Sequence, residues 1–255
     1  MNLKGKTTLI TGASAGIGEA CARVFAEAGS DLIITARRFE RIQKLSEELT
    51  AKHNIKCLPI EMDVRNRVLV NESIENLPAE FSKIDILINN AGKSLGLDPL
   101  QDGDYNDWDE MIDTNIKGLL YVTKAVAPKM IEKGEGFVIN ISSIAGKHAY
   151  PKGNVYCASK AAARTLSESM VIDFNGTGVR VCNIDPGLVE TEFSLVRFHG
   201  DSERAENVYK NFTPLTGYDI ADIALFTVTR PPHVMIQDVT VTPTAQASAY
   251  IIHKK

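Results

Sequence analysis

The sequence predicts an α/β fold in which about seven parallel strands form one doubly wound sheet, with helices on both of its faces. Three observations lead to this prediction. Short β-rich runs alternate with helical patterns along the whole chain, which is typical of a parallel sheet with helical crossovers. The first run is followed directly by a glycine-rich turn and a helix. The run at residues 84–88 is almost continuously apolar, as expected of a strand that is buried on both faces.

The strands are expected at residues 7–11, 31–36, 55–62, 84–88, 137–141, 179–184 and 238–241. Helices are expected at about residues 16–28 and 40–53, from near residue 65, at about 107–132, through Tyr156 to about residue 175, and at about 219–229. Residues 188–217 are polar and aromatic without clean periodicity, and we interpret them as a substrate lid. Since no repeat or low-complexity segment divides the chain, a single domain over residues 1–255 is expected.

The composition excludes several classes of function. With 255 residues, 44% hydrophobic and 24% charged, the chain can bury the core of one large domain. Its net charge of -4 argues against a nucleic-acid or anionic-membrane partner. Four cysteines and five histidines lack the spacing of a metal site or a disulfide framework, so no metal is expected. No signal sequence or long apolar stretch is present, and we therefore expect a cytoplasmic protein.

A glycine-rich turn follows the first predicted strand. Gly12, Gly16 and Gly18 form the pattern G-x-x-x-G-x-G. Glycines allow a tight turn and a close approach of backbone N–H groups, and the N-terminus of the following helix attracts a pyrophosphate. The turn therefore indicates a dinucleotide site. The alternative interpretation is a plain glycine-rich connection between a strand and a helix.

Two arginines after the second strand indicate which dinucleotide would bind. Arg37 and Arg38 follow residue 36 directly, and no carboxylate stands at Thr35 or Ala36. An NAD protein places an acid there for the ribose 2′-hydroxyl, whereas a 2′-phosphate requires a cation. Because guanidinium groups bind phosphate through several charge-assisted hydrogen bonds, the pair favours NADP. One of the two is alternatively a solvated charge at the start of a helix.

Polar residues also end three further elements. Asp63 follows the third strand, where it either accepts a hydrogen bond from the adenine amino group or caps the next helix. Residues 89–92, Asn-Asn-Ala-Gly, end the fourth strand and form either one wall of a ligand crevice or a simple turn. Asn115 lies inside a predicted helix, where asparagine is unfavourable, so it indicates local kinking or a function with water.

Tyr156 and Lys160 stand four residues apart in a predicted helix, which puts both side chains on one face. An ammonium about 4 Å from a phenol favours the phenolate by roughly 4 kcal/mol at an effective dielectric near 20. We therefore expect Lys160 to lower the pKa of Tyr156, so that the phenol can exchange a proton with an alcohol or a carbonyl oxygen. An isolated pair of this kind is also compatible with a tyrosine beside a solvated lysine.

Together these features resemble the short-chain dehydrogenase/reductase family over nearly the whole chain. The motifs that carry the resemblance are Thr11-Gly-x-x-x-Gly-Ile-Gly18, Asn89-Asn-Ala-Gly92, Asn115, Ser143, Tyr156-x-x-x-Lys160 and Pro186-Gly187. The resemblance implies a Rossmann-type fold and a catalytic tetrad. In it Tyr156 is the general acid/base, Ser143 holds the substrate oxygen, Lys160 binds the nicotinamide ribose and lowers the pKa of Tyr156, and Asn115 anchors a water in a proton relay. Ser142 is the alternative serine, and spacing favours Ser143.

The resemblance further implies that Tyr156, Lys160 and residues of five loops contact the cofactor. These loop residues are Gly12, Ser14, Ala15, Gly16, Ile17, Gly18, Arg37, Arg38, Asp63, Val64, Asn90, Ala91, Gly92, Pro186, Gly187, Val189 and Thr191. It also implies a homotetramer built on the helices that carry Asn115 and Tyr156.

Within this family the chain resembles the NADP-dependent 3-hydroxy acid dehydrogenases that act on serine and L-allo-threonine. The supporting stretches are residues 63–67, 111–115, 153–156 and 191–198. The expected reaction moves a hydride between NADP(H) and the hydroxyl-bearing carbon of a small 3-hydroxy acid such as serine, L-allo-threonine or 3-hydroxyisobutyrate. Ser143 and Tyr156 would bind the substrate hydroxyl. Arg197, in the lid, is the candidate for its carboxylate, since a planar fork matches that anion. An ion pair at the surface or an interface is the other interpretation of Arg197.

Two other functions remain open at this point. The first is an NADPH-dependent carbonyl reductase that acts on aldehydes, ketones or quinones without an acid group. The second is a binding protein that holds NADPH as a regulatory ligand without turnover.

Overall fold

The computed structural model describes residues 2–255. Seven parallel strands form one sheet in the order β3-β2-β1-β4-β5-β6-β7. The strands are β1 Thr7–Thr11, β2 Asp31–Ala36, β3 Cys57–Glu61, β4 Ile86–Asn89, β5 Gly136–Ile141, β6 Val179–Pro186 and β7 Asp238–Val241. The predicted fold class and the seven strands are confirmed.

Helices connect the strands and cover both faces of the sheet. The α-helices are α1 Gly16–Glu27, α2 Phe39–His53, α3 Arg67–Glu75, α4 Tyr105–Ile112, α5 Leu119–Lys133, α6 Asn154–Asp173, α7 Phe193–Arg197, α8 Ser202–Tyr209 and α9 Gly217–Val228. Short 3₁₀ turns lie at Ala79–Phe81, Leu100–Asp102 and Ile144–Gly146. No helix within residues 2–255 has both the length and the apolar character needed to cross a membrane.

Two apolar cores lie on the two faces of the sheet, because neighbouring residues of a strand point in opposite directions. In β1, Ile10 belongs to the core beneath α1, α2 and α9, whereas Leu9 belongs to the core beneath α3, α5 and α6. Both side chains are fully buried. This arrangement explains why strands β1, β4 and β5 are buried at every position rather than at alternate ones.

The helix predicted at about residues 107–132 is interrupted in the structure. A π-helical segment, Asp113–Gly118, separates α4 from α5. At its end, a Cβ on Gly118 would lie 2.6 Å from the Val64 side chain, so the backbone approaches that loop closely. Such π segments occur frequently at functional sites. Asn115 lies inside this segment, so the local departure from α-helical geometry occurs where asparagine indicated kinking or a function with water.

The cap of α3 excludes one of the two interpretations of Asp63. The side chain of Asn66 accepts hydrogen bonds from the backbone N–H groups of Val68 and Leu69 at 3.1 and 3.2 Å. Asn66 is therefore the N-cap of α3, and the capping role considered for Asp63 is wrong. The carboxylate of Asp63 instead accepts hydrogen bonds from Arg65.

The segment predicted to be a lid, residues 188–217, contains α7 and α8 and is anchored at both ends. Val189 and Leu215 form an isolated parallel bridge, which closes the segment into a loop. The C-terminal tail, residues 242–255, lies against this segment, since the backbone N–H of Lys255 donates to the Asn211 carbonyl at 2.9 Å. Gln246, also in the tail, is buried. The tail, which had no predicted role, is thus packed on the lid.

The functional end of the sheet follows from its strand order, which reverses between β1 and β4. Parallel sheets bind ligands at the carboxyl ends of the strands beside such a switch point. The chain leaves β1 at Gly12, β4 at Asn90, β5 at Ser142 and β6 at Gly187. The topology therefore brings the predicted motifs together at one edge of the sheet.

Candidate active site

A cavity of about 440 Å³ lies at the carboxyl ends of the strands. Most of the predicted site residues line it. These are Gly12, Ser14, Ala15, Gly16, Ile17, Arg37, Arg38, Asp63, Val64, Asn90, Ala91, Gly92, Ser143, Tyr156, Lys160, Pro186, Gly187, Val189, Thr191 and Arg197. The two remaining predicted residues, Gly18 and Asn115, are outside this lining and support it from behind.

The glycine turn has the shape required for a close approach of the backbone. Gly12 has a φ of +69°, and a Cβ on it would lie 2.9 Å from the Cα of Ala91. A Cβ on Gly18 would lie 2.4 Å from the Gly12 carbonyl oxygen. No side chain caps the N-terminus of α1, whose first residues line the cavity. The amides there match the phosphates of a dinucleotide.

Asn90 holds the turn against the neighbouring strand. Its side-chain amide donates to the carbonyl oxygens of Thr11 and Gly12 at 2.9 and 3.1 Å. In return, the Thr11 hydroxyl accepts hydrogen bonds from the backbone N–H groups of Asn90 and Ala91, both at 3.0 Å. These four bonds close the switch point between β1 and β4. They favour the crevice interpretation of residues 89–92 over that of a simple turn.

Arginine side chains lie at the end of the cavity nearest β2. The guanidinium of Arg38 donates to the Ser14 hydroxyl at 3.0 and 3.1 Å and to Glu192 at 2.7 Å. Arg41, on α2, donates to the other oxygen of Glu192 at 2.7 Å. Hydrogen bonds first from Arg38 and then from Arg41 lower the pKa of Glu192. Two guanidinium groups therefore surround one carboxylate at this end of the cavity.

Two serines end β5, and they differ in what they contact. The Ser142 hydroxyl donates to the backbone carbonyl of Lys160 at 2.8 Å, which binds β5 to α6. The Ser143 hydroxyl accepts from the Ala145 N–H at 3.1 Å and donates to the Pro186 carbonyl at 3.4 Å. Ser143 also lies close enough to Tyr156 to influence the pKa of its phenol, which agrees with the preference for Ser143 that spacing indicated.

The expectation that Lys160 brings the pKa of Tyr156 below its ordinary value is wrong in this structure. Burial raises the pKa of Tyr156 above its ordinary value, and the charge of Arg197 and the nearby Ser143 hydroxyl only partly oppose this. The ammonium of Lys160 donates to the Ile141 carbonyl at 2.9 Å. Burial lowers the pKa of Lys160 to about 8, although the charge of Asp185 acts in the opposite direction. The cation that partly opposes this rise in the pKa of Tyr156 is therefore Arg197.

Asn115 reaches from the π-helical segment to the loop after β4. Its side chain accepts from the backbone N–H of Lys93 at 2.9 Å and donates to the carbonyl of the same residue at 2.8 Å. It also donates to the Ser159 hydroxyl at 2.9 Å. A Cβ on Gly92 would meet both the Lys160 ammonium and the Asn115 side chain, at 3.2 and 3.3 Å. Asn115 thus fixes the wall beside Lys160.

Arg197 lies at the opposite end of the cavity from Arg38, beside the phenol. Its guanidinium donates to the Ser94 hydroxyl at 2.9 Å and to the Tyr150 hydroxyl at 2.6 Å. The guanidinium carbon lies 5.2 Å from the ring centre of Tyr156 and 5.3 Å from that of Phe193. Within residues 2–255 no carboxylate pairs with it, so the ion-pair interpretation fails within the chain. The lid carries an arginine whose charge faces the site.

Comparison with known proteins decides the family. The sequence model of the short chain dehydrogenases matches residues 6–200. The chain belongs to the short-chain dehydrogenase family. The match includes the glycine turn, both serines, Tyr156, Lys160 and Arg197.

Relatives of this short-chain dehydrogenase match it from end to end. The NADP-dependent 3-hydroxy acid dehydrogenase of Schizosaccharomyces pombe is 44% identical, with 99% of this chain and 98% of that protein covered. Sulfoacetaldehyde reductase 2 of Chromohalobacter salexigens is 45% identical, with 96% and 98% covered. A closed form of serine dehydrogenase in complex with NADP⁺ superimposes with a TM-score of 0.92 at 45% identity, covering 98% of this chain and 100% of that one.

Several residues of the dehydrogenase site escape sequence reasoning. Ser94 and Tyr150 lie in irregular links, where no periodicity indicates which way a side chain points. Glu192 and Arg41 belong to elements far apart in the sequence. Gln246 reaches the cavity from the tail, and its side-chain carbonyl accepts from the Leu188 N–H at 2.8 Å. The signal in the sequence for such additional site residues was the polar character of the predicted lid, residues 188–217.

Proposed function

We propose that this chain is an NADP-dependent dehydrogenase of small 3-hydroxy acids, of the type of serine, L-allo-threonine or 3-hydroxyisobutyrate. The observation that carries the proposal is the position of Arg197. Its guanidinium lies 5.2 Å from the Tyr156 ring centre, it has no carboxylate partner within residues 2–255, and it is fixed by Ser94 and Tyr150. A short substrate can place its carboxylate on this guanidinium and its hydroxyl at the phenol at the same time.

The residues of the cavity fit NADP. The turn at Gly12 leaves no room for a side chain, α1 presents uncapped amides, and Arg37 and Arg38 supply cations beyond β2. When bound, NADP supplies the centre that takes up the hydride from the hydroxyl-bearing carbon or returns it to a carbonyl. NADP-dependent relatives at 44% identity also support this choice of cofactor.

The chain's own residues would manage the proton and the orientation of the substrate. In oxidation, the phenolate of Tyr156 takes the proton of the substrate hydroxyl, and in reduction the phenol returns a proton to the carbonyl oxygen. Ser143, which lines the cavity together with that phenol, holds the same oxygen. Arg197 binds the carboxylate. Lys160, by its resemblance to the family pattern, binds the nicotinamide ribose, and Asn115 supports the wall beside it.

A panel of substrates separates the candidate functions. Reduced cofactor would be followed by absorbance with the three hydroxy acids, with matched alcohols that lack the carboxylate, and with 2-hydroxyethanesulfonate. The sulfonate belongs in the panel because a guanidinium binds both anions and because one relative is a sulfoacetaldehyde reductase. We expect turnover of the hydroxy acids and little or none of the neutral alcohols. Equal turnover of neutral aldehydes and ketones would favour the carbonyl reductase without acid specificity.

Variants assign the roles. Arg197→Met should raise KM for the hydroxy acids by about 10- to 100-fold, the loss of one charged hydrogen bond, and leave KM for neutral substrates nearly unchanged. Because the charge of Arg197 also lowers the pKa of Tyr156, kcat should change for both classes of substrate, and the test is therefore the difference in KM. Arg204→Met is the matched control, since Arg204 lies in the same lid but stacks on Phe198 at 4.4 Å. Tyr156→Phe should abolish turnover. Turnover that survives in this variant would exclude the proton-transfer role, and NADPH binding without any turnover in the wild type would favour a regulatory ligand.

A homotetramer is the proposed assembly, built on the helices that carry Asn115 and Tyr156. Exposed apolar side chains on these helices support it: Tyr105 on α4 is 77% exposed and Ile172 on α6 is 74% exposed. A shallow apolar groove of about 230 Å³ lies between α5 and α6. Light scattering should give four times the chain mass, and Ile172→Asp should reduce it. A monomeric wild type would refute the proposal. The cytoplasmic location stays a prediction, with which four free cysteines agree.

A further inference from the structure

The carboxylate of Glu192 is paired with two arginines, Arg38 and Arg41, at the end of the cavity nearest β2. One carboxylate oxygen accepts from Arg38 at 2.7 Å and the other from Arg41 at 2.7 Å, so the anion bridges two guanidiniums. Ser14, which lines the cavity beside the glycine turn, holds the same Arg38 from its other edge at 3.0 and 3.1 Å. Among these residues, Ser14, Arg38 and Glu192 line the cavity. A carboxylate thus lies where the charge pattern suits a phosphate.

The position of Glu192 in the chain connects this end to the substrate end. Glu192 is the residue before α7, a helix of only five residues, Phe193–Arg197. Its last residue, Arg197, contacts Tyr150 beside the phenol. Thr191, next to Glu192, lies against the glycine turn, since a Cβ on Gly16 would be 3.1 Å from the Thr191 side chain. The lid segment therefore reaches both ends of the cavity.

A ribose 2′-phosphate would meet the same guanidiniums. It carries a larger negative charge than a carboxylate and three acceptor oxygens, whereas Glu192 offers one charge and two oxygens. Both anions cannot hold all the donor groups of Arg38 and Arg41 at once. The hydrogen bonds from these arginines already lower the pKa of Glu192, so its carboxylate is ionised at neutral pH and competes as an anion.

We propose that Glu192 is a specificity-determining residue that competes with the ribose 2′-phosphate for Arg38 and Arg41, and that Arg41 is a further member of the 2′-phosphate site. This inference rests on the proposed dependence on NADP. The 2′-phosphate of NADP has to displace the Glu192 carboxylate from the arginines, which lowers the affinity for NADP. The affinity for NAD is not lowered in this way, because NAD has no 2′-phosphate. The ion pairs are partly exposed, so the effect should be modest.

The test measures binding rather than turnover. Isothermal titration of the full-length protein with 2′,5′-ADP and with 5′-AMP compares ligands that differ only by the 2′-phosphate. Glu192→Gln should bind 2′,5′-ADP about 1.5- to 5-fold more tightly than the wild type, with 5′-AMP binding unchanged. Arg41→Gln should bind 2′,5′-ADP more weakly by a similar factor and also leave 5′-AMP binding unchanged. Glu190→Gln, an exposed neighbour on the same segment, is the matched control and should bind both ligands like the wild type.

Four results would overturn the inference. Weaker binding of 2′,5′-ADP by Glu192→Gln would mean that the carboxylate helps to bind the ligand, and equal binding would mean that it does not compete. An unchanged Arg41→Gln variant would remove Arg41 from the site. A wild type that binds 2′,5′-ADP no more tightly than 5′-AMP would overturn the proposed NADP dependence as well, which distinguishes the failure of the function from that of this inference.

Discussion

Replacing Lys160 by methionine should remove turnover and at the same time change how the stability of the protein depends on pH. The ammonium of Lys160 is buried, and its only hydrogen bond in the described chain is to the Ile141 carbonyl at 2.9 Å. Burial lowers the pKa of this amine from 10.5 to about 8. At neutral pH the folded protein therefore contains a buried ammonium that destabilises it. Groups whose pKa values are shifted in this way are common at functional sites.

The magnitude follows from the pKa. One pKa unit corresponds to about 1.4 kcal/mol, so a charged Lys160 costs on the order of 3 kcal/mol at pH 7. The cost is fully present below the folded pKa of about 8, where the amine is charged in both states. Between pH 8 and 10.5 the folded state releases its proton first, and the cost disappears. Methionine also loses the bond to Ile141, but that offset depends little on pH.

The assay compares the free energies of unfolding in urea of the cofactor-free wild type and Lys160→Met from pH 7.5 to 10. The wild type should gain roughly 2 kcal/mol relative to the variant over this range. Lys44→Met, a replacement of an exposed lysine on α2, serves as the control and should run parallel to the wild type. Parallel curves for Lys160→Met and the wild type would refute the reasoning, because they would show that the buried amine keeps its ordinary pKa.

Two further predictions concern the glycine turn and the stability of the protein at acidic pH. Gly12→Ala should lose most NADPH binding, because the residue has a φ of +69° and its Cβ would lie 2.9 Å from the backbone of Ala91. Binding would be measured by cofactor fluorescence, and wild-type affinity in this variant would contradict the close approach. Burial alone would raise the pKa of Asp238, but hydrogen bonds from Asn183 and Lys147 lower it to about 2. Asp238→Asn should therefore be less stable than the wild type above about pH 4, with the difference in thermal unfolding fading as the pH falls toward 2, and a difference that persists at pH 2 would count against it.

The raised pKa of Tyr156 bears on the direction of the proposed reaction. Because burial keeps the phenol protonated at neutral pH, it is prepared to give a proton to a carbonyl oxygen. Oxidation needs the phenolate and gains from higher pH. Arg197 opposes the effect of burial, so a substrate carboxylate that neutralises its charge would also influence the phenol. Substrate binding and proton transfer are therefore linked through one guanidinium.

The sequence by itself determined the fold class, the strands and the location of the motifs at the strand ends. These features depend on short-range patterns, namely apolar runs, glycines after a strand, and residues four apart on a helix, and such patterns act through local sterics and periodicity. The break in the helix around Asn115 was only hinted at, because the approach of Gly118 to Val64 and the bonds to Lys93 are tertiary contacts. Periodicity alone continues the helix through that point.

The tertiary structure decided the electrostatics of the site. Arg197 meets Ser94 across 103 residues and Tyr150 across 47, and Arg38 meets Glu192 across 154. Spacing along a chain cannot indicate such partners when they lie in loops without periodicity. The pKa values depend on burial as well as on charge, and burial is a property of packing density around a group. For this reason the sequence identified the phenol and the amine, while only the folded chain showed that burial dominates both.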